Sequence, residues 1–130
     1  MVVLPVGDVA AAWFSGEEGT SGVLIAFALL QSNSWKWLKS RVANYDRRRS
    51  YQNPMMYYDA ESSVLTLLHT DQAAWRGQFQ SHIQALKSKD LGGTWSDPKD
   101  IISRAGSFCR HPPLKTHDQS EWLLPIYYTP

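Results

Sequence analysis

A single cysteine, Cys109, in 130 residues leaves no internal disulfide and no thiolate zinc cluster to consider. Excess charge is equally scarce. Thirteen Lys and Arg face 12 Asp and Glu, a formal +1 at pH 7, so neither nucleic acid nor an anionic membrane surface is expected to attract the chain in bulk. No segment approaches the roughly 18 consecutive apolar residues of a membrane span, and the opening MVVLPVGDVAAAWF carries neither a basic leader nor a cleavage site. The four histidines, His69, His82, His111 and His117, share no metal-ligand spacing, and no glycine-rich phosphate loop precedes a helical pattern. Neither a metal nor another cofactor is therefore expected. Flat rings are abundant: six Trp and six Tyr point to a core or a binding surface built on them.

The apolar residues fall in short runs: VAAAWF (9–14), VLIAFALL (23–30), PMMYY (54–58), VLTLLH (64–69) and WLLPIYY (122–128). Each has strand length, and several are bounded by Gly, Ser, Asn or Asp, which predicts an all-β chain. A helical alternative exists at two places. DVAAAWF reads as an Asp-capped helix, and Phe79, Ile83 and Leu86 are spaced for one helical face.

Repetition decides for strands. Asp8, Ser63 and Glu121 mark equivalent turns before apolar segments, at intervals of 55 and 58 residues. Asn53 and His111 lie in a second matched pair, 58 residues apart, and Trp35 and Trp95 in a third, 60 apart. A strand-rich unit of this length is the signature of a four-stranded propeller blade. The chain then holds about two and a quarter blades: 8–43 gives strands two to four of one, 54–102 a complete second, and 112–130 the start of a third. Such a set cannot close a ring alone. The reading is of a piece of a longer propeller whose remainder supplies closure; alone, its free sheet edges would make it aggregate or oligomerise.

SKDLGGTW (88–95) falls between strands three and four of the complete unit, where the chain must reverse. Gly92 and Gly93 are expected to supply positive φ, Ser88 and Asp90 to accept hydrogen bonds from turn amides, and Trp95 to begin the outgoing strand by packing between sheets. Ser88, Asp90, Gly92, Thr94 and Trp95 also match all five positions of the Asp box, the repeated hairpin that this stretch resembles in sialidase-like propellers. ALLQSNSW (28–35) resembles a degenerate copy that keeps only Ser34 and Trp35. Asp90 is read as structural, because a carboxylate bonded to turn amides is committed there.

Further segments are similar to the predicted neuraminidase group of the sialidase superfamily: LPVGDVAAAWFSGEEG, NPMMYYDAESSVLTLLHT, and GSFCRHPPL followed by WLLPIYY. The resemblance covers nearly the whole chain. It implies a six-bladed BNR/Asp-box propeller and hydrolysis of sialic-acid-like glycosides. It also implies a loop aspartate as general acid/base, a tyrosine activated by a glutamate as nucleophile, and an arginine triad on the substrate carboxylate.

In a blade, the Asp-box turn lies on one face, and the turns between strands two and three, with the links between blades, lie on the other. Segments 15–22, 44–53, 70–78, 103–111 and the stretch from Tyr128 belong to this second face, where a ligand at the channel mouth would bind. Six of the seven arginines fall there, namely Arg47, Arg48, Arg49, Arg76, Arg104 and Arg110, and none of the six lysines does. Planar, bidentate donors suit a sugar carboxylate. Candidate substrate contacts are Arg110, His111, Asn53, Arg76 and Trp75, the last by stacking. Where relatives carry the acid, this chain has Gly22; Glu18, or alternatively Glu17, stands in the same loop. Tyr127 and Tyr128 are read as packing residues, and Cys109 as a buried small residue. The function expected is that of an exo-α-sialidase-type hydrolase of acidic glycans. The alternatives are a non-catalytic carbohydrate-binding propeller and a polysaccharide lyase acting on uronic acids.

Overall fold

A computed structural model describes residues 1–129. The architecture is all-β: thirteen short strands and one turn of 3-10 helix at Gln78–Gln80, with no α-helix among the described residues. The first sheet contains β1 (Val2–Val3), β2 (Val9–Ser15), β3 (Leu24–Gln31), β4 (Lys36–Trp37) and β5 (Arg41–Asn44). Both β4 and β5 pair with β3, so they are two pieces of one outer strand. The second sheet is a meander of β6 (Arg49–Asp59), β7 (Val64–Ala73), β8 (His82–Ser88) and β9 (Lys99–Ile102). The third is a hairpin in two pieces: β10 (Ser107–Cys109) pairs with β13 (Ile126–Tyr128), and β11 (Leu114–Lys115) with β12 (Trp122–Leu123). Pro112 and Pro113 on one side and Pro125 on the other separate the pieces, since proline has no N–H to give to a ladder.

The helical alternatives fail for a tertiary reason. Val9–Ser15 pairs with Leu24–Gln31 over seven consecutive residues, and that ladder outweighs the helix propensity of its three alanines. Ile83 and Leu86 share no helical face. Ile83 packs with Met55, Leu68, Ala85 and Cys109, between the second and third sheets. Leu86 is buried on the other side of β8, and Phe79 is exposed. Between the first and second sheets, Ala10, Ile25 and Phe27 meet Tyr51, Met56, Leu65 and Leu67. Each fully buried Leu, Ile or Phe there contributes roughly 1.5–3 kcal/mol.

Successive sheets meet at a repeated seam. Val23, just before β3, pairs in parallel with Ser50 on β6; Gly22 N donates to Arg49 O at 3.0 Å, and Tyr51 N to Val23 O at 3.3 Å. One sheet further on, Ser107 N donates to Ser81 O at 3.1 Å, and Ser81 Oγ to Ser107 O at 3.0 Å. Arg49 to Gln52 therefore belong to a strand, not to the link in which sequence alone placed them.

The Asp-box turn forms as a closed set of hydrogen bonds. Gly92 N donates to Ser88 Oγ at 2.8 Å, while Thr94 N and Thr94 Oγ1 donate to the two Asp90 oxygens, each at 2.8 Å. The Thr94 amide foremost, then the Ser88 and Thr94 hydroxyls, bring the Asp90 pKa down to about 2. Two details differ from expectation. Positive φ falls at Leu91 and Gly92, not at Gly93, which is needed because a Cβ there would meet Asp90 Oδ2 at 2.9 Å. Trp95 does pack between sheets, edge-on to Phe27 with centroids 5.3 Å apart, but it precedes the outgoing strand, which starts at Lys99. In the degenerate copy, Trp35 is exposed.

The sheets stand side by side without closing. The far face of the first sheet is left bare, with Ala11, Trp13, Ala28, Trp37 and Leu38 lining an apolar trough.

Candidate functional site

The β2–β3 loop and the β7–β8 loop meet at the end of the second sheet away from the Asp box, since β8 starts beside one and ends at the other. A main-chain bond ties them together, Trp75 N donating to Gly19 O at 3.0 Å, and Ala74 N donates to Arg48 O, in the link before β6, at 3.1 Å. Gly19 N donates to Ser50 Oγ at 3.2 Å. Between the loops lies a concavity of about 340 Å³, whose lining includes Glu17, Glu18, Gln52, Gln72, Trp75 and Gln78. Trp75 is held at φ 64° and is 74% exposed, so its indole stands as an open wall. Gln52 lies on the floor, only 1% exposed. With its amide oriented to satisfy its surroundings, the nitrogen donates to Glu18 Oε1 at 2.9 Å and the oxygen accepts from Gly19 N at 3.1 Å.

Two polar networks lie on the opposite face of these strands, since Tyr51 pairs with Asp71 while Gln52 pairs with Thr70. Asp71, buried on β7, accepts from Arg49 Nε at 2.6 Å and faces His82 Nε2 at 3.1 Å; His82 also lies 3.3 Å from Asp100 Oδ1. Burial alone would raise the Asp71 pKa, but the bonds from His82 and Arg49 outweigh it and the carboxyl lies below its ordinary value. The bond to Asp71 raises the His82 pKa against the opposing effect of burial. Beside this chain, the fully buried His69 contacts Thr70 O through Nδ1 at 3.1 Å and Asn44 Nδ2 through Nε2 at 3.0 Å. Those neighbours fix a neutral tautomer, and burial brings its pKa down to about 4. Tyr51 packs on His69 with centroids 4.8 Å apart, and burial pushes its phenol up to about 12.

Of the residues that sequence put forward, Glu17, Glu18 and Trp75 come together around the concavity. Asn53 sits at a bulge in β6, φ 50°, with Nδ2 donating to Thr70 Oγ1 at 3.4 Å. Arg76 follows Trp75 in the loop, and its amide closes the turn onto Ala73 O at 3.2 Å. Arg110 and His111 leave the end of β10 exposed, with the Arg110 guanidinium 5.2 Å from the Tyr127 ring centroid. None of these four lines the concavity. The remaining arginines divide: Arg48 pairs with Asp46 at 3.1 Å, Arg49 with Asp71, and Arg104 lies 3.6 Å over the Tyr128 ring. Tyr127 stacks on Phe108 at 5.0 Å.

Gly22 adopts φ 75°, with its amide bonded to Arg49 O. Glycine takes this left-handed conformation without strain, and aspartate is among the few other residues that tolerate it. Gln52, Gln72 and the Asp71–His82 pair escaped sequence reasoning. Their signal was nonetheless present, as polar residues inside the strand-like runs SYQNPMM, LLHTDQ and SHIQAL. No group of three or more His, Cys, Asp or Glu among the described residues is arranged to hold a metal ion, and no helix is long and apolar enough to cross a membrane.

Radially stacked antiparallel sheets with an Asp-box turn define part of a sialidase-like β-propeller, open because only some of its blades are in this chain. The solved structure of the Hadza microbial sialidase Hz136 matches 75% of this chain with a TM-score of 0.63 at 14% sequence identity. The match spans 24% of that sialidase, and at this identity it establishes the fold. The profile of the BNR repeat-like domain matches residues 7–130, and the chain belongs to that family. No curated protein matches it.

Proposed function

We propose that the chain forms part of an exo-α-sialidase-type glycoside hydrolase acting on acidic glycans, with 8–43, 54–102 and 112–130 as its incomplete, complete and incomplete blades. The observation that carries the reading is the walled concavity in which the exposed Trp75 faces the Glu17 and Glu18 carboxylates, at the end of the sheet away from the Asp box. An indole beside hydrogen-bonding carboxylates suits a pyranose, one face against the ring and its hydroxyls toward the acids. Glu18, fixed by Gln52, acts as general acid/base toward the glycosidic oxygen, with Glu17 as the alternative. Arg110, His111 and Arg76 from the neighbouring loops and Asn53 from the β6 bulge contact the acidic sugar, and the guanidinium of Arg110 takes its carboxylate. The nucleophile pair that the resemblance implies is assigned to no residue here, and the remainder of the propeller supplies it along with ring closure.

Gly22, standing where relatives carry the acid, favours a second reading, a carbohydrate-binding propeller without turnover. A fluorogenic sialoside separates the two. Hydrolysis that falls about 100-fold or more in Glu18→Gln supports the hydrolase. Saturable binding without release of the fluorophore supports the binding module. Full activity in both Glu18→Gln and Glu17→Gln removes these carboxylates from the chemistry.

A further inference from the structure

We infer that Gln72 contacts a sugar ring seated in the concavity and that this ring is uncharged; on the glycosidase reading above, it is the neutral sugar bonded to the acidic one. Gln72 lies on β7 opposite Ser50, on the same face of the sheet as Gln52 and Thr70. Its side chain is only 3% exposed and lines the concavity. The neighbouring Gln52 amide is bonded to Glu18, Gly19 and Ser50, whereas the Gln72 amide makes no hydrogen bond to any described residue. The side-chain atoms that are sealed from solvent without a partner are Gln84 Oε1, Trp95 Nε1 and Ser107 Oγ. Gln72 is not among them, so the sliver of it that stays exposed includes its amide, which opens into the concavity. Burying a primary amide without protein partners is unfavourable, and the sheet gains nothing from this one that an apolar chain of equal length would not give. Donor and acceptor side by side fit the hydroxyls of a pyranose.

Trp75 points the same way. Its backbone is held at φ 64°, where a bulky residue is an outlier, and its indole is 74% exposed. Strain and exposure together set a flat apolar wall opposite the polar floor, and strain of this kind gathers at binding sites. Charge then selects the sugar. Glu17 and Glu18 stand at the concavity, and no Lys or Arg lines it. Arg49 is committed to Asp71 on the other face of the sheet, and Arg48 to Asp46. A sugar carboxylate placed here would meet two like charges with no cation to offset them. An uncharged hexopyranose would set its C–H face on Trp75 and its hydroxyls on Gln72 and Gln78. Since Glu18 is assigned to the glycosidic oxygen, the acidic sugar then lies outside the concavity.

Binding without turnover tests this. Methyl β-galactoside and the sodium salt of methyl β-galacturonoside differ only in the group at C6, neutral in one and anionic in the other. In ¹H–¹⁵N spectra, the galactoside should shift the Gln72 side-chain amide and Trp75 indole signals saturably, and the galacturonoside should bind at least about tenfold more weakly. Gln72→Met, similar in length and apolar, should weaken the galactoside about 3- to 10-fold, with a thermal midpoint no lower than the parent's. Galacturonoside binding as tight as that of the galactoside overturns the charge assignment. Unmoved Gln72 and Trp75 signals, or unchanged galactoside affinity in Gln72→Met, overturn the contact, and a midpoint clearly below the parent's marks Gln72 as a sheet residue and overturns it too. If the galactoside binds as stated but the fluorogenic sialoside is not hydrolysed, the hydrolase reading fails and the neutral-sugar site stands. If the sialoside is hydrolysed and the galactoside moves neither signal, the reverse holds.

Discussion

Replacing Arg49 by Met removes one of the two cations from a buried carboxylate and leaves the hydrocarbon stem. Asp71 is 3% exposed and receives Arg49 Nε at 2.6 Å. Stripping one partner from a fully buried ion pair costs about 3–5 kcal/mol, because the other charge stays behind without compensation. Two features reduce that figure. The Arg49 side chain is 27% exposed, so some solvent reaches the pair, and His82 remains 3.1 Å from the other Asp71 oxygen. About 2–3 kcal/mol is the expected loss near pH 6. The pH dependence follows from the directions of the two shifts. His82 has a raised folded pKa, so its contribution is complete below the unfolded value of about 6.5 and fades as pH climbs through the folded one. Asp71 has a lowered pKa, and its contribution is present above about 3.9 and lost on acidification. In Arg49→Met, deprotonating His82 removes the remaining cation beside Asp71, so the penalty should grow between pH 6 and pH 9. Urea unfolding of the parent and the variant at both pH values reads this directly. A loss under about 0.5 kcal/mol at both, the range of an ordinary surface pair, refutes the reasoning.

Cys109, whose thiol burial pushes up to about 12, should react with a disulfide reagent at pH 8 only as fast as the protein opens, and rapid labelling of the native state would contradict its buried position. Gly92→Ala forces a Cβ to within 2.2 Å of the Phe27 ring at φ 93°; a loss of about 2–4 kcal/mol is expected, and an unchanged urea midpoint would show that the Asp-box turn does not press on the first sheet as described.

The sheet modules were legible because their signals are local or repetitive. The Asp box announced a hairpin through five residues, and the 55–60-residue spacing set strands above helices where VAAAWF alone was ambiguous. Glu17, Glu18 and Trp75 were legible as neighbours because both loops lie at the same end of their strands. Other features depend on packing across sheets, to which sequence spacing is blind. The division of the arginines is one: Arg49 faces a buried Asp71, twenty-two residues away, which ties it to the sheet, while Arg104 lies against Tyr128. The place of Gln52 is another, because an amide within a strand acquires meaning only when the loop above it is known.

The seam between neighbouring modules has a consequence for how such a molecule diversifies. Its closing bonds run largely through peptide groups, which every amino acid brings, and the interlock therefore survives whatever side chains flank it. Valine stands at one joint, just before β3, where serine stands at the next, just before β8. Each joint can thus be refitted for a new chemistry without loosening its neighbours.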